Sequence, residues 1–260
     1  MNTLSSSGCA AVAAAELGNG TFPAHARLPS RHGARGKLWY DGSMQLVFEQ
    51  LRIGGDRNFG YLLGDRDAGV AVAIDPAYSP AMVVQRATDQ RLKITHIINT
   101  HGHDDHINGN VEAVKLTGAQ VAAHPDSPAM PDIRLEDNQE LEVGGLRLKF
   151  LYTPGHCPDH IVVYEQTNRL LISGDLLFVG KVGGTGNNID ARLEWNSLQR
   201  VLTEVPDAAT VWPGHDYGVR PVSTVAMERT SNPFLRCPDL AEFIRFKDDW
   251  KIYKQRYGVK

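Results

Sequence analysis

The chain has 260 residues, and its 42% hydrophobic and 22% charged content is that of an ordinary globular protein. This composition excludes a collagen, a coiled coil and a wholly disordered chain. Its 27 basic and 30 acidic residues leave a formal net charge of −3. The sequence holds no apolar run near the roughly 18 residues that a membrane-spanning helix needs. We therefore predict neither nucleic acid nor a membrane as a partner.

The N-terminal 43 residues differ from the rest in composition. They are rich in Ala, Ser and Gly, and Glu16 is the only acidic residue before Asp41. We predict that residues 1–43 form an irregular, disordered extension and that residues 44–260 form the working domain. A segment with few acids and several Arg and Ser is also typical of an organellar transit peptide, which stays open as the alternative.

The three cysteines are Cys9, Cys157 and Cys237, an odd number that is spread along the chain without a C-x-x-C pair. This usage favours a reducing compartment and argues against a disulfide framework or a Cys-rich zinc site. We predict a cytoplasmic location, with an organellar location as the alternative if residues 1–43 are a transit peptide.

Hydrophobic periodicity from Met44 onward predicts strands interleaved with helices. In chain order, strands are expected at 44–51, 59–65, 69–76, 94–100, 121–125, 141–154 (a hairpin), 160–166, 170–175 and 209–215. Helices are expected at 79–92, 108–118, 190–205 and over most of 222–258, with Ser79 and Asp190 as N-caps and Gly118 as a C-terminal stop. Two β-rich halves, each followed by helices, predict two sheets packed face to face with helices outside.

The most informative of the ten histidines lie in the segment Thr100-His-Gly-His-Asp-Asp-His106. Three imidazoles and two carboxylates directly follow the predicted strand at 94–100. These groups are the ligands that Zn²⁺ and Fe²⁺ take in proteins. Because a packed core would need a buried partner for each of them, the segment predicts a metal site at a strand end.

Three further ligand types follow predicted strands in the same way. His156, Asp175 and His215 each come after a β-run, and each is preceded by a glycine. Taken alone, a His or Asp after a glycine is usually only a turn residue. Together with the histidine-rich segment, they predict one metal site built from several strand ends.

The set THGHDDH (100–106), TPGH (153–156), SGD (173–175) and PGHDYG (213–218) resembles the metallo-β-lactamase superfamily over roughly residues 44–235. The resemblance implies an α/β fold, a four-layer αβ/βα sandwich with a short C-terminal helical tail and metals at the sheet edge. It implies two Zn²⁺, with iron or manganese as alternatives in either position. One ion would be held by His101, His103 and His156, the other by Asp105, His106 and His215, with Asp175 bridging both. Asp75 would orient a ligand ring.

Within the superfamily the motifs resemble two branches. An Asp rather than a Cys at position 175 resembles the hydrolase branches. Of these, the glyoxalase II type (hydroxyacylglutathione hydrolase) cleaves a glutathione thioester with a metal-bridging hydroxide, and Asp105 and Asp175 would be the catalytic carboxylates. The alternative is the persulfide dioxygenase branch, in which His101, His156 and Asp175 would hold a single Fe²⁺.

Local features are divided between these branches. Residues 174–181 and 232–236 resemble glyoxalase II, whereas 61–76 and 215–233 resemble the persulfide dioxygenases. Both branches usually carry a Cys-Gly-Lys/Arg stretch after the Gly-Asp strand end. The glycine-rich stretch 180–186 replaces it here, near the place where the substrate is expected.

Three residues are predicted to contact the substrate: Lys181, His160 and Arg236. The two basic side chains are candidates to bind the carboxylates of glutathione. The near-neutral charge argues against a nuclease of the superfamily, and the complete ligand set argues against a non-catalytic binding module. We predict a binuclear metallo-hydrolase that acts on a glutathione thioester, with a mononuclear Fe(II) glutathione persulfide dioxygenase as the alternative.

Overall fold

The structure, a computed structural model, describes residues 44–257, and the extension predicted at 1–43, with its transit-peptide alternative, lies outside the described residues. The strands are β1 (Leu46–Gly54), β2 (Asn58–Asp65), β3 (Val70–Ile74), β4 (Lys93–Ile98), β5 (Gln120–Ala123), β6 (Ile133–Arg134), β7 (Glu140–Val143), β8 (Leu146–Tyr152), β9 (Ile161–Glu165), β10 (Leu170–Gly174), β11 (Leu177–Phe178), β12 (Lys181–Val182), β13 (Thr210–Pro213) and β14 (Ser223–Thr224). The helices are α1 (Pro80–Asp89), α2 (Asp104–Ile107), α3 (Asn110–Thr117), α4 (Asn188–Glu204), α5 (Val225–Ser231) and α6 (Leu240–Tyr257).

The first sheet has the strand order β1-β2-β3-β4-β5-β6. β2 and β3 pair antiparallel and form the predicted hairpin. β3 and β4 pair in parallel, with α1 in the crossover between them. Parallel strands end at the same edge of a sheet, so Asp75 after β3 lies against Thr100 after β4.

The second sheet has the strand order β14-β13-β10-β9-β8-β7. β7 pairs antiparallel with β8, as the hairpin predicted at 141–154 requires, and β8, β9 and β10 continue the antiparallel order. β10 and β13 are joined through α4 and pair in parallel, with Gly174 opposite Pro213 at their carboxyl ends. Asp175 and His215, which follow these strand ends, therefore lie at the same edge of the sheet.

Three clusters of buried apolar side chains hold these layers together. The inner faces of the two sheets pack on each other through residues such as Tyr61 and Phe150. α1 covers the outer face of the first sheet with Val83, and α4 and α6 cover the second sheet with Leu198 and Phe243. Each fully buried side chain of this size contributes about 1.5–3 kcal/mol to folding. The four layers, helices outside two facing sheets, confirm the predicted α/β sandwich.

The helix boundaries correct the sequence prediction in one place. Asn187, not Asp190, caps α4, because its Oδ1 accepts hydrogen bonds from the backbone N–H groups of Ile189 and Asp190. Asn and Asp both cap helices, and here Asn187, which comes first in the sequence, is the cap. Gly118 ends α3 in the left-handed conformation, as predicted. In the part of the chain that the structure describes, no helix combines the length and the apolarity needed to cross a membrane.

Candidate metal centre

The two sheets meet at the edge where their parallel strands end. The backbone N–H of Phe59 in β2 donates to the carbonyl oxygen of Gly214 after β13 at 2.8 Å, which ties one sheet to the other. Four loops converge at this junction, those that follow β4, β8, β10 and β13. They carry all seven of the predicted ligands: His101, His103, Asp105, His106, His156, Asp175 and His215.

Three histidines on two of these loops form a first group of donor atoms, here called the histidine cluster: His101, His103 and His156. His103 Nδ1 lies 3.0 Å from His101 Nε2 and 3.0 Å from His156 Nε2. Zinc–nitrogen bonds of about 2.0–2.1 Å in a tetrahedral site would place two ligand nitrogens about 3.3 Å apart. The spacing of these nitrogens therefore suits a single ion.

A second group of donor atoms, the mixed cluster, comprises Asp105, His106 and His215. His106 and His215 face each other with their Nε2 atoms 3.3 Å apart. Asp105 Oδ2 lies 3.4 Å from His215 Nε2 and 3.8 Å from His106 Nε2. Asn58 holds this carboxylate from behind, because its Nδ2 donates to Asp105 Oδ2 at 3.0 Å.

Asp175 lies between the two clusters. Its Oδ2 is 3.5 Å from His156 Nε2 in the histidine cluster and 3.3 Å from His215 Nε2 in the mixed cluster. Its Oδ1 is buried and has no hydrogen-bond partner among the described residues, although His106 Nε2 lies 3.6 Å away. A buried carboxylate oxygen without a partner is costly, so a cation between the clusters would stabilise it.

The protonation pattern of the rings supports the same fit. His101 donates from Nδ1 to Thr100 Oγ1, and His106 donates from Nδ1 to Asp75 Oδ2 at 2.9 Å. His156 and His215 donate from Nδ1 to the carbonyl oxygens of Gly184 and Asp56, respectively. In a neutral ring, the nitrogen opposite the N–H carries a lone pair. The four Nε2 atoms thus face the centre, and as ligands of divalent ions these rings would be neutral, with the Nε2 lone pair on the metal.

The electrostatics of the centre also favour a positive charge. Burial holds the pKa of His101 well below its ordinary value. Burial alone would lower the pKa of His106 too, but the carboxylates of Asp175 and Asp75 outweigh it and raise that pKa to about 9. Burial would raise the pKa of Asp175, yet His106 and His215 hold it well below its usual range. The carboxylates are therefore stabilised by positive charge at the place where a divalent ion would lie.

Asp75 links the ends of two strands to the ligand rings. Its carboxylate accepts hydrogen bonds from the backbone N–H and the hydroxyl of Thr100, at 2.9 and 2.6 Å, and from His106. The sequence analysis expected Asp75 to orient a ring, and the structure brings it against His106. Through Thr100 it also fixes the ring of His101.

Two groups that orient ligands could not be predicted from the sequence, because they are backbone carbonyl groups. Gly184 O and Asp56 O accept the ring N–H groups of His156 and His215 at 2.8 and 2.9 Å. Every residue carries a carbonyl, so residue type gives no signal for such a role. The one available clue to the role of this loop is Gly183. A side chain would not fit at this position, because an added Cβ would overlap the carbonyl oxygen of Asp175.

The predicted substrate residues are placed differently from one another. His160 is fully buried and accepts a hydrogen bond at Nε2 from the backbone N–H of Asp175 at 3.1 Å. Burial lowers its pKa to about 3, so the ring is neutral. This position suits a role in supporting Asp175 from inside the protein, and contact of His160 with a substrate stays a prediction. Lys181 is half-buried on β12 and Arg236 is exposed after α5, and both remain predictions.

A cavity of about 320 Å³ lies between the glycine-rich loop 183–188 and α6. It adjoins the centre because Gly184, which lines it, accepts the hydrogen bond from His156. The cavity is bordered by Trp250 and by the lysines of α6: Lys247, Lys251 and Lys254. It therefore combines an apolar wall with positive charge next to the proposed ligands.

Known proteins resemble this chain in sequence and in fold. Residues 54–215 match the family described as the metallo-beta-lactamase superfamily. The chain is 35% identical over 178 residues to a protein named hydroxyacylglutathione hydrolase from Polaromonas sp., which covers 66% of this chain and 67% of that protein. It is 31% identical over 199 residues to the protein named persulfide dioxygenase ETHE1, mitochondrial, from Homo sapiens, covering 75% of this chain and 78% of that one.

A solved structure, that of ETHE1 from Myxococcus xanthus, superposes with a TM-score of 0.72 at 30% identity. The match covers 82% of this chain and 100% of the other. Relatives named after the two branches are therefore about equally similar to this chain. The comparisons support both branches that the motifs resembled, without choosing between their reactions.

Proposed function

The chain belongs to the metallo-beta-lactamase superfamily, and we propose that it is a binuclear metal-dependent hydrolase whose substrate is a hydroxyacylglutathione thioester. The observation that carries this proposal is the mixed cluster of Asp105, His106 and His215. Its donor atoms lie beside the histidine cluster and share Asp175 with it. In a mononuclear enzyme these atoms would not serve as metal ligands, but the persulfide dioxygenase branch keeps most of these motif residues too.

Two Zn²⁺, or iron or manganese in either position, would supply a hydroxide nucleophile at neutral pH and positive charge for the carbonyl oxygen under attack. The residues of the chain position this chemistry. Asp175 holds the two clusters at a fixed separation. The Asp105 side chain is 32% exposed, so this carboxylate can pass a proton from the reacting centre to solvent.

A thioester suits this centre better than an amide does. A thiolate leaves with a thiol pKa of about 8.5 and needs little help from an acid. The leaving group is therefore expected to depart as the anion.

The cavity beside the centre suits an anionic thiol carrier. Lys251 and Lys254 border it and can pair with carboxylates such as those of glutathione. The glycine-rich loop leaves room there, because an added Cβ at Gly184 would meet no atom. A location in a reducing compartment agrees with such a substrate but stays a prediction.

The persulfide dioxygenase reaction is the second candidate. It is favoured by the full coverage of the Myxococcus xanthus ETHE1 structure and by the presence of His101, His156 and Asp175 in the centre. In that case Fe²⁺ would use these three ligands, and the mixed cluster would have another purpose.

One pair of assays separates the two candidates. The protein is produced in defined medium, its metals are measured, and it is tested for S-D-lactoylglutathione hydrolysis and for oxygen uptake with glutathione persulfide. We expect thioester hydrolysis by the zinc-loaded protein and no oxygen uptake. Oxygen uptake by a protein carrying about one iron per chain, without hydrolysis, would overturn the proposal.

A further inference from the structure

An ion pair is buried between α4 and α6, next to the glycine-rich loop. Glu194 on α4 is fully buried, and the side chain of Lys247 on α6 is 9% exposed. Lys247 Nζ contacts Glu194 Oε2 directly, whereas Glu194 Oε1 has no hydrogen-bond partner among the described residues. Moving two charges out of water is costly, and an incompletely bonded pair adds little to stability. The presence of this buried ion pair therefore needs an explanation other than stability.

The ammonium group of Lys247 also holds the loop. Its Nζ donates a hydrogen bond to the carbonyl oxygen of Gly183 at 2.8 Å. Gly183 fits tightly between the centre and the ion pair, since an added Cβ would overlap Asp175 O and crowd Glu194 Oε1. Lys247 thus fixes the peptide group that directly precedes Gly184.

That peptide group leads to a proposed metal ligand. Gly184 O accepts the Nδ1–H of His156 at 2.8 Å, while Nε2 of the same ring faces Asp175 at 3.5 Å. A ligating ring depends on the acceptor behind it for its tautomer and orientation. A shift of the Gly183–Gly184 backbone would turn the ring of His156 away from the centre.

α4 supports the same ring from its other side. Ser197 Oγ donates to the carbonyl oxygen of Pro154 at 2.8 Å, in the turn that carries His156. Gly155 in that turn packs so closely on α4 that an added Cβ would overlap the backbone of Glu194. Glu194 therefore joins the turn of His156 to the lysine that holds Gly183, the residue next to the acceptor of His156.

We propose that the Glu194–Lys247 pair is a positioning device for the metal centre, through which α6 fixes Gly183 O and so the adjoining Gly184, whose carbonyl group orients His156. This inference rests on the proposed metal ligands and not on the identity of the substrate. An apolar pair could join α4 to α6 equally well, but it would leave Gly183 O without its donor.

The test measures zinc affinity, by competition with a chromophoric chelator, together with the melting midpoint of the metal-free protein. The key variant is the double change Glu194→Gln with Lys247→Met, which removes both charges and the donor to Gly183. We expect this variant to melt near the wild-type temperature yet to bind one zinc about tenfold more weakly. Arg245→Met is the matched control, a basic residue on the same helix whose side chain is 69% exposed and lies outside the cavity, and it should leave both quantities close to wild type.

Zinc affinity within about twofold of wild type in the double variant would overturn the inference, since loss of a ring-orienting partner typically costs 10–100-fold. If the double variant does not fold, the single variant Lys247→Met takes its place. Its zinc affinity is measured at a temperature below its own melting midpoint and is compared with wild type in the same way. His156→Ala separates this inference from the ligand assignment. If His156→Ala does not weaken zinc binding, the metal centre itself is wrongly assigned. If it does and the Lys247 variants do not, only the positioning role fails.

Discussion

Asp175 is the residue on which both donor clusters depend. Its Oδ2 lies 3.5 Å from His156 Nε2 and 3.3 Å from His215 Nε2. Its backbone N–H is held by buried His160, and Gly214 packs so closely that an added Cβ would overlap Asp175 Oδ1. The residue is therefore held through its backbone on one side and packed closely against Gly214 on the other.

Replacement of the Asp175 carboxylate tests whether both clusters depend on it. Asp175→Ala should lower turnover by about a thousandfold, because metal-based charge stabilisation is worth several kcal/mol and both clusters lose their shared ligand. Turnover and bound metal are measured on the same sample, and circular dichroism confirms that it is folded. Near-normal turnover in this variant would contradict the whole ligand assignment.

His215 separates a binuclear from a mononuclear centre. His215→Ala removes a nitrogen of the mixed cluster and leaves His101, His103 and His156 in place. Thioester hydrolysis should then fall by about a hundredfold or more, because the second ion loses a ligand. A mononuclear iron enzyme would largely keep its activity.

The control for His215→Ala is another histidine outside the centre. His124 stacks on Tyr152 with their ring centroids 4.6 Å apart and belongs to neither cluster. His124→Ala should leave hydrolysis close to the wild-type rate. Equal losses in the two variants would show that the effect of His215 is not specific to the metal centre.

At the scale of helices and strands, the sequence predicted where most elements lie, but it could not predict which distant strands pair. Gly118 ends its helix as expected because a left-handed residue there strongly favours glycine. The parallel pairing of β10 with β13 could not be predicted, because it depends on packing of distant segments through α4. The sequence predicts Asp190 as the cap of α4, whereas Asn187 takes that place, since both residue types can accept hydrogen bonds from helix N–H groups.

Arg200 anchors α4 to the second sheet and gives a prediction about pH. Its Nη1 donates to Asp137 Oδ1 at 2.6 Å, and its Nε donates to Glu204 Oε1 at 2.7 Å. Arg200 lowers the pKa of Glu204, and for Asp137 it outweighs burial, so that pKa is lowered as well. Carboxylates with a lowered folded pKa stabilise the protein above their unfolded pKa and lose that contribution as the pH falls.

Arg200→Met should therefore lower the free energy of unfolding by about 1 kcal/mol at neutral pH, a modest value because the network is partly exposed. Urea unfolding at about pH 7 and about pH 3 should show the difference from wild type shrinking in acid, as both carboxylates protonate. Arg192→Met, an exposed arginine on the same helix, is the control and should change little. A deficit that is independent of pH would contradict the electrostatic account.

At the scale of the whole molecule, the sequence predicted the architecture and the ligand types, because the motifs sit at strand ends of a four-layer fold. It could not predict the backbone acceptors at Asp56 and Gly184 or the burial of His160, since these depend on how the loops pack. Residues 1–43 lie outside the described part of the chain, so their predicted role stays a prediction.

A ligand that binds the folded state alone stabilises the whole domain. Each bound zinc ion, at about 100 times its dissociation constant, should add about 2.7 kcal/mol and raise the melting midpoint of the metal-free protein by about 5–10 °C. Calorimetry with and without zinc measures the shift, and a chelator should reverse it. Asp175→Ala should lose most of it, and an equal shift in that variant would mean that zinc binds elsewhere.

The central claim is that two metal ions act together on a thioester. The most direct test is to add zinc stepwise to metal-free protein while following S-D-lactoylglutathione hydrolysis. The account predicts that activity reaches its plateau only at about two equivalents of metal per chain. A plateau at about one equivalent, or no hydrolysis at any metal content, would contradict it.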